Sequence, residues 1–133
     1  MQQQTPPTTF RELLDGYQRG NRDFAGTELD ADPNADLSGV CLDGSDFSHA
    51  FLVASFRKAS LRGACFRQAN VKTCDFREAD LRDTDFRGAV LCSALFDGAK
   101  LDGARFEGAY MHSYKLKEGE APGAAGDTPP ISL

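Results

Sequence analysis

Large apolar residues recur every five positions between residues 35 and 113. The chain divides into units that begin ADLSG, VCLDG and SDFSH and end with AYMHS, with one four-residue unit, AFLV, at residues 50–53. The third residue of each unit is large and apolar, and the first is small, most often Ala. A period of five matches neither the 3.6-residue period of an α-helix nor the two-residue period of a β-strand. The pattern therefore predicts a chain that turns once per unit.

The last residue of the unit is suited to that turn. It is Gly in many units, for example Gly44 and Gly88, and polar in most of the others. Glycine tolerates the positive φ that tight turns require. A chain that turns after every unit and points two residues of each unit inward makes a coil with flat sides. Stacked coils would then pair backbone to backbone about 4.8 Å apart.

These units, approximately A-(D/N)-L-x-x, resemble those of the pentapeptide-repeat proteins over residues 35–116. In that family four units form one square turn of a right-handed parallel β-helix. The resemblance implies an all-β fold here, a right-handed quadrilateral parallel β-helix of about four to five coils over residues 21–116. Two weaker units around Phe24 and Leu29 are expected to begin the first coil.

Four units per coil would place the apolar centres in four columns, one on each face of the square. We expect the Phe columns to lie on opposite walls with a Leu column between them, so that large and smaller side chains interdigitate in a narrow core. Face one carries Leu37, Phe56, Phe76 and Phe96; face two carries Leu42, Leu61, Leu81 and Leu101; face three carries Phe47, Phe66, Phe86 and Phe106; and face four carries Leu52, Val71, Leu91 and Met111.

The segments that flank the repeats have different patterns. Residues 9–20 predict a helix, because Thr9 and Glu12 fit a capping box and Phe10, Leu13 and Tyr17 share one helical face. We expect this helix to cap the open end of the β-helix; the alternative is that it binds a partner. Residues 1–8 are expected to be a flexible N-terminus, and residues 117–133, rich in Gly and Pro, a disordered C-terminal tail.

Basic residues follow the apolar centres in the middle of the stack, and we call this set the basic belt. One interpretation is an anion or phosphate site. The other, which we favour because the side chains point in several directions, is a set of solvated cross-strand ion pairs of small energy. The basic belt consists of Arg57, Arg62, Arg67, Lys72, Arg77, Arg82 and Arg87.

Face four is poor in charge and rich in aromatic and aliphatic side chains. An exposed apolar stripe of this kind is typical of a partner-binding surface. The alternative is that the N-terminal segment or the C-terminal tail lies over it. The candidate partner-binding residues, with Leu95 just around the corner, are Phe51, Val53, Val90, Cys92, Leu95, Tyr110 and His112.

Composition excludes several classes of protein. The 133 residues include 15 basic and 20 acidic side chains, a net charge of -5, which argues against direct nucleic-acid binding. No run of about 18 apolar residues predicts a membrane span, and no secretory signal is visible. Four cysteines in such a chain are most simply free thiols. We therefore expect a cytoplasmic protein that does not bind membranes.

No catalytic chemistry is indicated by the motifs. His49 and His112, the two histidines, fall at opposite ends of the repeat array, and no metalloprotease, CxxC, phosphate-loop or nucleophile-elbow motif occurs. Cys92 beside His112 on the next coil would be a thiol–imidazole pair without a third group to orient it. We therefore expect no catalytic, cofactor-binding or metal-ligating residues, no cofactor, and no enzyme activity.

The sequence thus predicts a scaffold that mediates protein–protein interaction through an outer wall of the β-helix. Its partner is a protein of unknown identity, and a homodimer is one possibility. The family implies an alternative, since some members mimic DNA and bind type II topoisomerases. Here the repeats span only about 20 Å at strand spacing, and Arg residues occupy the middle of the stack, where a DNA mimic requires carboxylates. The resemblance also favours a bacterial setting and a regulatory role.

Overall fold

The structure is a computed structural model that describes residues 6–31, 35–123 and 129–133. Its regular elements are one helix and six two-residue strands. In chain order they are α1 (Phe10–Gln18), β1 (Glu28–Leu29), β2 (Phe51–Leu52), β3 (Tyr110–Met111), β4 (Tyr114–Lys115), β5 (Glu120–Ala121) and β6 (Ile131–Ser132).

Most of the repeat region is held by isolated parallel bridges rather than by long strands. The residue before each apolar centre pairs with its equivalent in the next coil, as in Ser55 with Asp75 and Asp75 with Leu95. The offset is 20 residues in the regular repeats, 19 where the four-residue unit intervenes, as between Asp36 and Ser55, and 23 between Asp23 and Asp46. Each coil therefore has four short pairing segments separated by turns.

The hydrogen bonds of one unit explain why the repeat is five residues long. The amide of Phe56 donates to Asp75 O at 2.7 Å, and the amide of Lys58 donates to Arg77 O at 3.0 Å, so both join one coil to the next. The amide of Ala59 instead donates back to Phe56 O at 3.0 Å and closes the turn. Each unit thus pairs its backbone without a long strand.

The apolar centres form the core inside the coils. Rings in one column stack, with Phe66 and Phe86 4.9 Å apart at 4°, and rings of faces one and three meet edge to face, with Phe76 and Phe86 5.6 Å apart at 81°. Both geometries favour aromatic pairs. The predicted core residues are buried, including Phe47, Phe56, Leu61, Phe66, Val71, Phe76, Leu81, Phe86, Leu91, Phe96, Phe106 and Met111.

Leu101 departs from the prediction that every centre is buried. It is half-buried, whereas Leu42, Leu61 and Leu81 in the same column are 0% exposed. Leu101 belongs to the last coil, and no described residue pairs with its amide from below. The end of the stack therefore explains its exposure.

Helix α1 begins where the sequence predicts. The Thr9 side chain accepts a hydrogen bond from the Glu12 amide at 3.1 Å, while the Glu12 carboxylate accepts from the amide of Thr8 at 2.9 Å rather than from that of Thr9. Phe10 and Leu13 are buried in the same cluster as the repeat centres. The following segment pairs with the first repeats, through a parallel bridge between Asp23 and Asp46.

The C-terminal segment differs from the predicted disordered tail. Strand β4 pairs antiparallel with β3, and β6 pairs antiparallel with β5. Ala121 is 0% exposed, and the Tyr114 hydroxyl donates to the Glu120 carboxylate at 2.9 Å. The prediction is wrong for residues 117–123 and 129–133, because burial and strand pairing order them; residues 124–128 lie outside the described residues, as do residues 1–5 of the predicted flexible N-terminus.

Candidate functional site

Face four presents two outward columns. The residues before its centres run from Phe51 through Asn70 and Val90 to Tyr110, joined by parallel bridges. The residues after its centres are Val53, Lys72, Cys92 and His112. The structure thus brings six of the seven candidate partner-binding residues together on one wall.

The candidate residues differ in exposure. Phe51, Val53, Val90, Cys92 and Leu95 are half-buried, whereas His112 is exposed and Tyr110 is 44% exposed. The most accessible part of the wall therefore lies on the last coil. Leu95 belongs to the outward column of face one, because it bridges to Asp75.

Two lysines lie over aromatic rings of this wall. The Lys72 ammonium is 5.5 Å from the Phe51 ring centroid, and the Lys115 ammonium is 5.4 Å from that of Tyr110. Cation–π contacts of this kind are worth about 0.5–1 kcal/mol at exposed sites. The sequence pattern gave no indication of Lys115, since it follows the last repeat and reaches Tyr110 only because β4 folds back on β3.

Cys92 contacts His112 through the backbone amide of His112. The amide of His112 donates to Cys92 Sγ at 3.2 Å. This contact follows from their positions one above the other in adjacent coils. It does not in itself make Cys92 a nucleophile, because the donor is an amide and not the imidazole.

The basic belt is paired with acidic side chains of its own units. In the third coil each Arg binds the Asp two residues before it through both Nε and Nη2; for Arg82 and Asp80 the distances are 2.9 and 2.7 Å. The Arg77–Asp75 and Arg87–Asp85 pairs repeat this geometry on the other two faces. Bidentate pairs of this kind fix both side chains.

These pairs alter the pKa values of the aspartates. Hydrogen bonds from the Arg82 side chain lower the pKa of Asp80 from 3.8 to about 2, and hydrogen bonds from Arg77 lower the pKa of Asp75. At Asp85 burial alone would raise the pKa, but the hydrogen bonds and charge of Arg87 outweigh it, so the pKa is lowered. The carboxylates of the third coil are therefore already engaged by arginines.

Second-coil members of the belt reach down to acidic residues of the third coil. Arg57 lies 3.7 Å from Glu78, and Arg67 lies 3.9 Å from Asp85. These longer and more exposed contacts are weak. The arrangement favours the ion-pair interpretation over an anion site, because the arginines lie on different faces and are paired with carboxylates.

Little in the described residues is suited to catalysis. No group of His, Cys, Asp and Glu among them could hold a metal ion. Burial raises the pKa of the Cys74 thiol to about 12, and its Sγ donates to Leu52 O at 3.2 Å, so it is not a ready nucleophile. No helix in the described ranges is long and apolar enough to cross a membrane.

The repeat pattern of the sequence decides the family. The family model for pentapeptide repeats matches residues 34–72 and 74–112 in eight copies. These residues make up more than half of the chain. The chain belongs to the pentapeptide-repeat family. Proteins of this family fold as right-handed β-helices, and they are in general structural repeat proteins rather than enzymes. This protein is therefore a pentapeptide-repeat scaffold.

Solved structures of the family are similar to this pentapeptide-repeat protein. The alr5209 protein from Nostoc PCC 7120 is 40% identical, over 80% of this chain and 82% of that chain, with a TM-score of 0.45. HetL from Nostoc sp. strain PCC 7120, involved in heterocyst differentiation regulation, is 22% identical over 71% and 53%, with a TM-score of 0.49. Trypsin-treated QnrB1, a plasmid-mediated fluoroquinolone resistance protein, is 24% identical over 67% and 49%, with a TM-score of 0.54. Comparison with curated proteins gave no significant match.

Proposed function

We propose that this pentapeptide-repeat protein is a non-enzymatic scaffold that binds another protein through face four. The observation that carries the proposal is the outward column of Phe51, Asn70, Val90 and Tyr110, in which three of the four side chains are apolar or aromatic and Val90 stands where the other walls of the third coil carry Asp. Tyr110 is 44% exposed although it is a large aromatic residue. Apolar and aromatic side chains that are grouped on one wall and partly exposed favour a protein interface.

The paired charges on the other walls support the same assignment. A DNA-mimicking surface needs carboxylates that are free to bind a topoisomerase, whereas Asp75, Asp80 and Asp85 each bind an Arg of their own unit. The fold that this protein shares with QnrB1 says nothing about such a function. The four cysteines are free thiols, which agrees with the cytoplasmic setting that we propose.

Substitution of face four tests the function. Val90→Arg and Tyr110→Glu place charges on the wall while leaving the core unchanged. We expect both to abolish partner capture or self-association while the circular dichroism spectrum stays native. The matched control is Ser55→Arg on face one, which should have no effect on binding.

Two results would contradict the assignment. One is unaltered affinity capture together with unaltered sedimentation of Val90→Arg. The other is inhibition of DNA gyrase supercoiling that Val90→Arg retains, since that result would favour the topoisomerase alternative on a different wall.

A further inference from the structure

The first outward column of face four continues beyond the repeats at both ends. At the upper end Glu28 of β1 pairs with Phe51 of β2, and at the lower end Lys115 of β4 pairs with Tyr110 of β3. Parallel bridges join the residues between them. We call this set the six-rung column, and from top to bottom it consists of Glu28, Phe51, Asn70, Val90, Tyr110 and Lys115.

The six-rung column is complementary to its own reverse. Read against the reverse, an acidic residue meets a basic one, an aromatic ring meets an aromatic ring, and an amide meets a small apolar side chain: Glu28 with Lys115, Phe51 with Tyr110, and Asn70 with Val90. The outward column of face three lacks this property, because its reverse sets Asp46 against Asp85. A twofold interface requires such self-complementarity, since one patch meets the same patch of the other copy.

The charges at the two ends of the column are not used within the described chain. Neither Glu28 nor Lys115 forms an ion pair with another described residue, whereas the aspartates of the third coil each bind an arginine. Both residues are exposed, and the Lys115 ammonium lies 5.4 Å from the centroid of the Tyr110 ring. A carboxylate from a second molecule can therefore bind Lys115 without breaking an ion pair that the structure describes.

We propose that face four binds a second copy of this chain, in a side-by-side dimer whose two stacks run in opposite directions. This inference rests on the function proposed for face four and names its partner. The twofold axis lies between the two walls, parallel to their strands, at the level between Asn70 and Val90. Rotation about it reverses the stack but not the strand direction, so the walls pack as aligned sheets about 10 Å apart.

Each half of this interface contains one ion pair and one aromatic pair. Glu28 of one copy lies opposite Lys115 of the other, and Phe51 lies opposite Tyr110. The axis repeats both pairs at the other end of the wall. Tyr110 is 44% exposed in the single chain, and burial of its ring against a second ring is favourable beyond the area that it covers.

The second outward column of face four accepts the same arrangement. Its residues are Val53, Lys72, Cys92 and His112. The reverse of this column sets Lys72 against Cys92 and Val53 against His112, so that no two like charges meet. Stacks that ran in the same direction would instead set the like charges of the six-rung column against each other, which is destabilising.

The size and symmetry of the wall determine how the dimer behaves. Six rungs at strand spacing span about 24 Å, and small interfaces, below about 1,200 Å² in total, are typical of weak complexes. The dimer should therefore form as the protein is concentrated and dissociate on dilution. A twofold interface uses the same patch on both copies, so association stops at two.

Charge reversal at the two ends of the column tests the arrangement. Glu28→Lys and Lys115→Glu should each weaken dimerisation about tenfold in sedimentation equilibrium, because each sets like charges together twice. An equimolar mixture of the two variants should restore it, and so should the double variant, since both pairs then join opposite charges. Asp102→Lys, on face two, makes the same change of net charge and should leave dimerisation unaltered.

The outcomes distinguish the dimer from the more general function of face four. A protein that stays monomeric at millimolar concentration, or a mixture of the two variants that associates no better than either alone, would overturn the dimer. If such a monomer captures a different protein and Val90→Arg abolishes that capture, the function of face four stands and the partner named here is wrong. A dimer that persists in both Glu28→Lys and Val90→Arg uses another surface and also overturns the proposal.

Discussion

Several residues at the corners of the stack adopt an unfavourable backbone conformation. Among the described residues eight other than glycine have φ between 54° and 63°, including Thr73 at 63°. An L-residue in this left-handed region costs about 1–2 kcal/mol, and a β-branched side chain is least suited to it. The Thr73 amide donates to Cys92 O at 2.9 Å, so pairing between coils holds the corner. The stack thus stabilises a conformation that an isolated unit would avoid.

Acid titration gives a prediction for one of the paired aspartates. The pKa of Asp80 is about 2 in the folded protein, whereas the ordinary value for an Asp is 3.8, so folding favours the ionised form. The contribution of ionised Asp80 to the free energy of unfolding is fully present above the ordinary pKa. It is lost as the pH falls from about 4 toward about 2. Arg82→Gln should raise the pKa of Asp80 toward 3.8, as measured by NMR of its carboxyl carbon.

The variant Arg62→Gln is the matched control for that titration. Arg62 affects Asp80 only through its charge from the coil above, whereas Arg82 binds the carboxylate directly. Arg62→Gln should therefore raise the pKa less than Arg82→Gln does. A larger shift in Arg62→Gln would show that the carboxylate pairs between coils and not within its unit.

Helix α1 packs against the first repeats through its buried side chains. Its buried residues, Phe10 and Leu13, join the core cluster, and Arg22 lies over the Tyr17 ring with its guanidinium carbon 3.6 Å from the centroid. The Tyr17 hydroxyl also contacts Asp43 O, so the helix is tied to the first coil at several points. These contacts agree with a capping helix better than with a helix held ready for a partner.

Truncation of the buried side chain tests the role of α1. Leu13→Ala should lower the free energy of unfolding by about 2–5 kcal/mol, because it leaves a cavity beneath the helix. Leu14, the next residue, is half-buried, so Leu14→Ala should cost clearly less. Urea denaturation measures both. Equal, small losses would show that the helix contributes little to the core.

Sequence and structure agree most closely where the period repeats. The interior of the coils could be predicted because each centre from Leu37 to Met111 repeats the same local environment. The exposure of Leu101 could not, since it depends on where the stack ends. The C-terminal strands were missed because Glu120 and Ala121 are ordered by contacts with Tyr114 and β6, which no local pattern shows.

The outer wall was predicted in position but not in its contacts. The 20-residue repeat was sufficient to place Phe51, Val90 and Tyr110 in one column. The positions of Lys72 and Lys115 over aromatic rings depend on side-chain rotamers and on the reversal at β4, which periodicity does not specify. Periodicity also does not specify whether each Arg of the third coil binds the carboxylate of its own unit or one in the coil below.

Every surface described above depends on columns that repeat once per coil. Cys65 pairs with Asp85, 20 residues later, on face three, whereas Asp80 lies on face two. Parallel strands about 4.8 Å apart bring paired Cα atoms within the range of about 4.4–6.8 Å that a disulfide requires. Cys65 and residue 80 lie in different columns, so we expect their Cα atoms to be outside that range.

Oxidative cross-linking from Cys65 is therefore the most direct test. In a background with Cys41→Ser, Cys74→Ala and Cys92→Ser, Asp85→Cys should form an intramolecular disulfide in most molecules, as measured by mass spectrometry. Asp80→Cys, 15 residues from Cys65, should remain reduced under the same conditions. Cross-linking of the Asp80→Cys variant as fast as that of Asp85→Cys would contradict the four-sided stack.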